Sequence, residues 1–300
     1  MMHRGALPAM GTRFEIVAGG AEPTLLRAAV EEAFEEISTC HRLWNVFSRE
    51  SILSRIHAES DGHPVTIDGL TLDLLLACSR LHQQTGGSFD PIIGADLAAG
   101  DPRRDSISGV APRDGFCGIE LDAEASTVRR LDPQLRFDLG GIAKGYACDL
   151  AASILLEAGV ECALIHGGTS SIVALGAPPG RAEWVIEVKG YSRKTIGLVD
   201  GALAVSSAAG GGAGGHLIDP CSGDRLDRHR AGAMVVGNSA TDCDAWSTAL
   251  TVAGFEGEVA RQLPSTLQGY RLNNGESTDM KPQAEASVEE ERWKRTVEIS

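Results

Sequence analysis

Hydrophobic residues recur every three to four positions in several stretches of the chain, a spacing that predicts amphipathic helices. The clearest stretch runs from Thr24 to about Leu43 and is preceded by Pro23, which suits the first turn of a helix. A second covers Thr71 to about Thr85 and ends at Gly86-Gly87, a natural helix stop. Further helices are expected over 51–56, 143–158, 240–254 and 256–263.

Shorter apolar or alternating runs predict strands. We expect strands over 13–17, 65–67, 119–121, 127–131, 136–139, 162–165, 184–188, 203–205 and 233–236. Several of them come in adjacent pairs, whereas others are separated by helices. This order favours an α+β (mixed α/β) fold, with mixed sheets flanked by helices, over a strict doubly wound sheet. We expect a single domain over 1–273 and a polar C-terminal tail over 274–300, either exposed or docked as a loose helix.

Composition and charge narrow the possible partners. The chain has 300 residues, of which 43% are hydrophobic, and its formal net charge is -14. An acidic chain of this kind is not expected to bind nucleic acid, because a phosphate backbone needs a basic surface. A single small phosphate-bearing ligand is still possible, since a binding site is set by its local charges.

The sequence gives no sign of a membrane segment or of an oxidising compartment. No apolar stretch approaches the roughly 20 residues that cross a bilayer, and the first ten residues lack the apolar centre of a signal peptide. The seven cysteines are odd in number, dispersed and free of any C-x-x-C pair, which fits reduced thiols. We expect a cytoplasmic protein, or a periplasmic one if the N-terminus is truncated.

The segment from Phe137 to Gly145 is a candidate phosphate site. Its pattern predicts a strand that carries Asp138 into Gly140-Gly141 and then into a helix, where backbone N–H groups and Lys144 suit an anion. It matches neither the P-loop nor the G-x-G-x-x-G pattern. A plain strand–helix turn with a surface lysine explains the same residues.

The segment from Asp242 to Thr248 is a candidate cation site. Asp244 and Thr248 are four residues apart, so on a helix they lie on one face. A carboxylate and a hydroxyl suit a hard cation such as Mg²⁺. The structural alternative is a capping acid with a threonine bonded back to its own helix.

Two other segments place polar groups at element ends. Thr85–Pro91 contains an acid, Asp90, after a helix stop, and is also explained as a helix cap and turn. His216 and Asp219 follow the glycine tract 210–215, which we expect to be mobile, and a histidine beside an acid could act as an acid/base or phosphate-facing group. A lone histidine is more often structural than catalytic.

Taken together and in this order, these segments resemble the ApbE-like FAD:protein FMN transferase family. The matching segments are Met10-Gly11-Thr12, 47–51, 53–55, Thr85–Pro91, Asp138–Tyr146 with Asp149, His216–Pro220 with Gly223, and Asp244–Leu250. The similarity extends from about Met10 to Gly254 and would make 1–273 an ApbE-like flavin transferase domain.

The resemblance implies an activity and a set of site residues. Similar proteins bind FAD, cleave its pyrophosphate, attach FMN through a phosphoester to a Thr or Ser of an acceptor flavoprotein, and release AMP. The FAD site would be lined by Met10, Phe47, Ser88, Phe89, Asp90, Asp138, Lys144 and Ile218. The Mg²⁺ ligands would be the backbone carbonyl of Gly141 with Asp244 and Thr248. The catalytic residues would be His216, facing the pyrophosphate, and Asp244. We also expect the glycine tract 210–215 to close over the diphosphate when FAD and Mg²⁺ are bound.

Three positions depart from the family's usual pattern. Phe47 stands where many members have tyrosine, and His166-Gly167-Gly168-Thr169 stands where they carry Asn-x-Gly-Gly and an acid. Ser206-Ser207 leads into the glycine tract without the usual arginine. Two other functions therefore stay open, an FAD pyrophosphatase and a non-catalytic FAD-binding protein.

Overall fold

The helices of the computed structural model follow the predicted periodicity closely. The structure describes residues 2–59, 61–93, 115–188, 195–209, 217–273 and 276–279. Its helices are α1 Pro23–Trp44, α2 Ile52–Ala58, α3 Gly69–Gln84, α4 Ala143–Glu157, α5 Ala240–Ala253 and α6 Glu258–Arg261, with a 3₁₀ turn at Gly115–Gly118. Side-chain oxygens of Glu22, Ser51, Asp68 and Ser239 accept backbone N–H bonds at the starts of α1, α2, α3 and α5.

One long sheet forms the centre of the fold. Its strands are β1 Met2–Ala9, β2 Thr12–Gly19, β6 Cys162–Gly167, β7 Ser171–Leu175, β10 Gly201–Ser206, β11 Gly232–Gly237, β12 Gln268–Asn273 and β13 Glu276–Asp279, in that spatial order. Two smaller sheets consist of β3 Val65–Thr66, β5 Thr127–Arg130 and β4 Ile119–Asp122, and of β8 Trp184–Glu187 with β9 Thr195–Leu198.

The α+β class is confirmed, but the pairing differs from the expected mixed sheet. Each described pair of neighbouring strands is antiparallel. The long segment between β2 and β6, for example, returns the chain to the end of the sheet where β2 finished, so the two strands run in opposite directions.

Helices and hairpin cover opposite faces of the sheet. On β2, Phe14 and Ile16 are fully buried under the helices, whereas Arg13 is exposed and Glu15 is half-buried on the other face. The β8–β9 hairpin packs Ile186 and Leu198 on the opposite face, against the central strands. All seven cysteines are free, and five of them are buried. None of the described helices is long and apolar enough to cross a membrane.

One expected strand is absent and several unexpected ones are present. Residues 136–139 form no ladder; the Phe137 N–H donates to His57 Nε2 (2.9 Å) and the Asp138 N–H donates to the Pro91 carbonyl (2.7 Å). The alternation of buried and half-buried side chains therefore comes from contacts with α2 and with the loop at Pro91, without strand pairing. The sequence pattern also failed to predict β1, β7, β9 and β12, and β13, which falls in the segment expected to be a tail.

Candidate functional site

Helices α4 and α5 are joined by two acidic residues. Asp149 of α4 bonds to the N-terminus of α5, and Asp244 of α5 bonds to the N-terminal turn of α4. Asp149 of α4 accepts bonds at the start of α5 from the backbone N–H groups of Ala240 (2.8 Å) and Thr241 (2.9 Å). It also accepts from the hydroxyls of Ser239 (2.8 Å) and Thr241 (2.6 Å). These four bonds match the number that a carboxylate can accept, so Asp149 has a structural role.

Asp244 of α5 does the same for α4, with fewer partners. One carboxylate oxygen accepts the Gly145 N–H (2.8 Å) and the other accepts the Ser171 hydroxyl (2.9 Å). The residue is only 3% exposed. Burial raises the pKa of the Asp244 carboxyl above its usual value, while the charge of Lys144 and the two hydrogen bonds oppose that rise.

A cluster of hydroxyls lies at the end of β10 and contacts the backbone carbonyl of Asp244. Ser206 Oγ is 2.8 Å from Ser247 Oγ and 3.1 Å from Thr248 Oγ1. Ser247 donates to the carbonyl of Asp244 (2.9 Å), and Thr251 donates to the carbonyl of Ser247 (2.8 Å). Thr248 is therefore bonded across to the sheet, unlike the back-bonded threonine of the structural alternative.

The glycine turn before α4 approaches the same cluster. A methyl group on Gly141 would stand 3.2 Å from Thr248 Oγ1 and 3.5 Å from the ring of Phe89, so only glycine fits without displacement. Lys144 Nζ donates to the Gly140 carbonyl (2.7 Å), which holds the ammonium group at this turn. The structure thus brings together five of the predicted residues: Phe89, Gly141, Lys144, Asp244 and Thr248.

Asp138 and Asp90 lie on the loops next to this group. Asp138 accepts the Gly140 N–H (2.8 Å) and shapes the turn. Asp90 is 7% exposed and accepts the N–H groups of Ile92 (2.8 Å) and Phe116 (3.1 Å), with His82 Nδ1 at 3.5 Å. Burial raises the pKa of the Asp90 carboxyl, and its hydrogen bonds and His82 oppose the rise.

The remaining predicted FAD contacts are spread over other elements. Met10 sits at the β1–β2 turn with φ +49, and its N–H donates to His41 Nδ1 (3.2 Å). Phe47, after α1, is 59% exposed, and Ser88 is half-buried beside Phe89. Ile218 is buried at 2% exposure. His216 and the glycine tract 210–215 lie outside the described residues.

His166 lies on the other face of the sheet from Asp244. Ser171, whose hydroxyl reaches Asp244, pairs with Gly167, so the neighbouring His166 side chain projects to the opposite side. There it lines a pocket of about 670 Å³, together with Arg4, Arg181 and Trp184. Burial lowers the pKa of the His166 imidazole.

Sequence reasoning missed the residues that support the site from other strands. Ser171 on β7 and Ser206 on β10 are far from α5 in sequence, and no local spacing signals their contact with it. Gly145 lies in the candidate phosphate segment, but the sequence does not show that it lets α4 approach α5 closely. A methyl group at Gly145 would stand 2.2 Å from the Ala240 carbonyl oxygen.

Solved structures share this fold. The ApbE protein of Thermotoga maritima has a TM-score of 0.78 and 24% identity, covering 93% of this chain and 97% of that one. The flavin transferase ApbE of Vibrio cholerae has a TM-score of 0.74 and 23% identity, covering 93% and 97%.

The chain is also similar in sequence to curated proteins named FAD:protein FMN transferase. The FAD:protein FMN transferase of Treponema pallidum is 26% identical over 274 residues, which are 80% of this chain and 75% of the relative. The enzyme of the same name from Vibrio cholerae is 25% identical over 276 residues, or 84% and 82%. The family model described as "ApbE family" matches residues 10–269. Because that match spans most of the chain and the fold agrees with it, the chain belongs to the ApbE family.

Proposed function

We propose that this chain is a Mg²⁺-dependent FAD:protein FMN transferase that modifies a Thr or Ser of an acceptor flavoprotein. The observation that carries the proposal is the oxygen-rich group formed by Gly141, Asp244 and Thr248, next to a lysine and the N-terminus of α4. The names of the curated relatives support the same activity. The match over 10–269 supports a single domain over 1–273, to whose sheet β13 adds residues 276–279, and we propose a cytoplasmic location.

The donors at this site suit magnesium. Asp244 and Thr248 supply a carboxylate and a hydroxyl from one helix face, and the Gly141 backbone lies beside Thr248. Mg²⁺ prefers such hard oxygens and keeps several waters, so few protein ligands are enough. Within the described residues, no group of three or more His, Cys, Asp or Glu could hold a metal. The proposed set does not need one, because Asp244 is its single carboxylate.

The chemistry needs charge neutralisation more than a strong nucleophile. The acceptor hydroxyl oxygen forms a bond to the FMN phosphorus, the phosphorus–oxygen bond to AMP breaks, and the hydroxyl proton is lost. Bound magnesium would supply positive charge at the diphosphate. Lys144 is placed to add charge at the α4 N-terminus, whose N–H groups favour anions. We assign His216 to the pyrophosphate and Met10, Phe47, Ser88, Phe89, Asp90, Asp138 and Ile218 to the remainder of FAD.

The test is incubation of the chain with FAD, Mg²⁺ and a candidate acceptor, followed by mass spectrometry of the acceptor and quantification of AMP. We expect one FMN on a Thr or Ser and equimolar AMP. Release of FMN and AMP without labelling would indicate a pyrophosphatase, and binding of FAD without AMP release would indicate a binding protein.

A matched pair of variants tests the metal assignment. Asp244→Asn keeps the shape of the side chain but removes its charge, so we expect loss of Mg²⁺-dependent AMP release. Asp242→Asn, two residues earlier on the same helix, removes a half-buried carboxylate that pairs with Arg80 at the surface (2.6 Å) and should leave the activity unchanged. Equal activity of the two variants would place the metal elsewhere.

A further inference from the structure

Counting the hydrogens of the hydroxyl cluster at Asp244 assigns a direction to its hydrogen bonds. Each hydroxyl has one hydrogen to donate and two lone pairs to accept. Ser247 donates its hydrogen to the carbonyl of Asp244 (2.9 Å), so in its 2.8 Å contact with Ser206 it acts as the acceptor. Ser206 therefore donates to Ser247.

The same accounting fixes the hydroxyl of Thr248. Since the single hydrogen of Ser206 goes to Ser247, the 3.1 Å contact between Ser206 Oγ and Thr248 Oγ1 has Thr248 as its donor. The hydrogen bonds then run in one direction, from Thr248 through Ser206 and Ser247 to the Asp244 carbonyl. The hydrogen of Thr248 is directed toward β10, and its lone pairs stay available on the side of Gly141.

We infer that Ser206 is a positioning residue of the cation site: it accepts the hydroxyl hydrogen of Thr248 and so presents the lone pairs of that oxygen to Mg²⁺. A hydroxyl can ligate a cation only through a lone pair, so a partner that holds its hydrogen elsewhere preorganises the ligand. The inference rests on the proposed function, because it requires the cation to bind at Asp244 and Thr248.

Ser206 is well held for this task. It is the last residue of β10, where it pairs with Ala233 of β11, and its carbonyl oxygen lies 3.3 Å from Thr251 Oγ1 of α5. Its position is thus fixed by the sheet on one side and by α5 on the other. An alanine at 206 would keep these backbone contacts and remove the hydroxyl alone.

The experiment measures Mg²⁺ affinity of the full chain by titration calorimetry, repeated with Mn²⁺ by electron paramagnetic resonance. Ser206→Ala should weaken binding about five-fold or more, the value of one lost hydrogen bond. Ser206→Thr keeps the hydroxyl and should stay within about two-fold of the wild type. Ser153→Ala, an exposed serine on α4, is the matched control and should change nothing.

A double-mutant cycle separates positioning from general damage to the fold. Thr248→Val removes the oriented hydroxyl, so adding Ser206→Ala should weaken Mg²⁺ binding no further. An additional loss of the same size in the double variant would overturn the inference, as would equal affinity of Ser206→Ala and wild type. If the wild-type chain binds neither cation, the magnesium site of the proposed function is wrong and this inference falls with it.

Discussion

A half-buried histidine is expected to control how the segment before Asp138 responds to acid. His57, at the end of α2, accepts the Phe137 N–H at its Nε2 (2.9 Å), and the two rings stack with centroids 6.1 Å apart. Burial lowers the pKa of this imidazole to about 3, helped by the nearby charges of Arg136 and Arg130. The ring must be neutral to accept the bond, so protonation and the native contact exclude each other.

The loss of stability at low pH follows from the difference between the pKa of His57 in the folded and in the unfolded state. The unfolded imidazole titrates at its ordinary pKa of 6.5, and the folded one at about 3. Below 6.5 the unfolded state binds a proton that the native state does not, so stability is complete above pH 6.5 and is lost as pH falls through that value toward 3. At pH 5 the loss is 1.5 pKa units at 1.36 kcal/mol each, about 2 kcal/mol.

The assay is urea unfolding at pH 7.5 and at pH 5 for the wild type and for His57→Gln. Glutamine offers an acceptor oxygen but does not titrate, so its unfolding free energy should fall by about 2 kcal/mol less than that of the wild type. His63→Gln, at an exposed histidine, should follow the wild type. Parallel pH dependence of His57→Gln and wild type would refute the reasoning.

Three further outcomes follow from the same structure. Gly145→Ala should lower the free energy of unfolding in urea by about 1–3 kcal/mol, because its methyl group would meet the Ala240 carbonyl. Gly69→Ala, with open space around it, should not lower it, and equal unfolding midpoints of the two variants would contradict this prediction. Asp149→Asn should cost about 1–3 kcal/mol in the same assay, since an amide cannot accept from all the donors at the α5 start, and an unchanged midpoint would show that this cap contributes nothing. FAD should bind far more tightly than riboflavin in a fluorescence titration with Mg²⁺, and equal affinities would remove the case for a diphosphate site.

Helix positions could be predicted because their signal is local. The long helices are rich in apolar residues over a continuous stretch, and α1, α3 and α5 also begin with a capping side chain, so neighbouring residues suffice to place them. The segment 136–139 shows the limit of this reasoning. Phe137 and Leu139 are buried at 1% and 4% exposure and alternate with polar residues, as in a strand. Their backbone partners come from α2 and from Pro91, which no period in the sequence reveals.

Some residues of the candidate site could also be predicted from local spacing, whereas others could not. The i, i+4 spacing of Asp244 and Thr248 predicts that they share a helix face, and the structure places both beside the Gly141 turn. Ser171 and Ser206 could not be found from spacing, since they reach α5 only when β7 and β10 lie beneath it. The face of His166 depends on which side of β6 the helices cover, and this is decided by the packing of the whole sheet.

Asp149 of α4 and Asp244 of α5 differ in the number of hydrogen bonds that their carboxylates accept. Both accept hydrogen bonds at the N-terminus of the other's helix. Among the described residues Asp149 accepts four bonds and Asp244 accepts two, although a carboxylate can accept about four. A carboxylate buried to 3% exposure with only two neutral donors is costly to the fold, and a cation at its remaining lone pairs would offset that cost. Functional sites are where a fold tolerates such an incomplete set of partners. The incomplete set of partners of Asp244, and not its capping role, is therefore the feature that supports the proposal of Asp244 as a metal ligand.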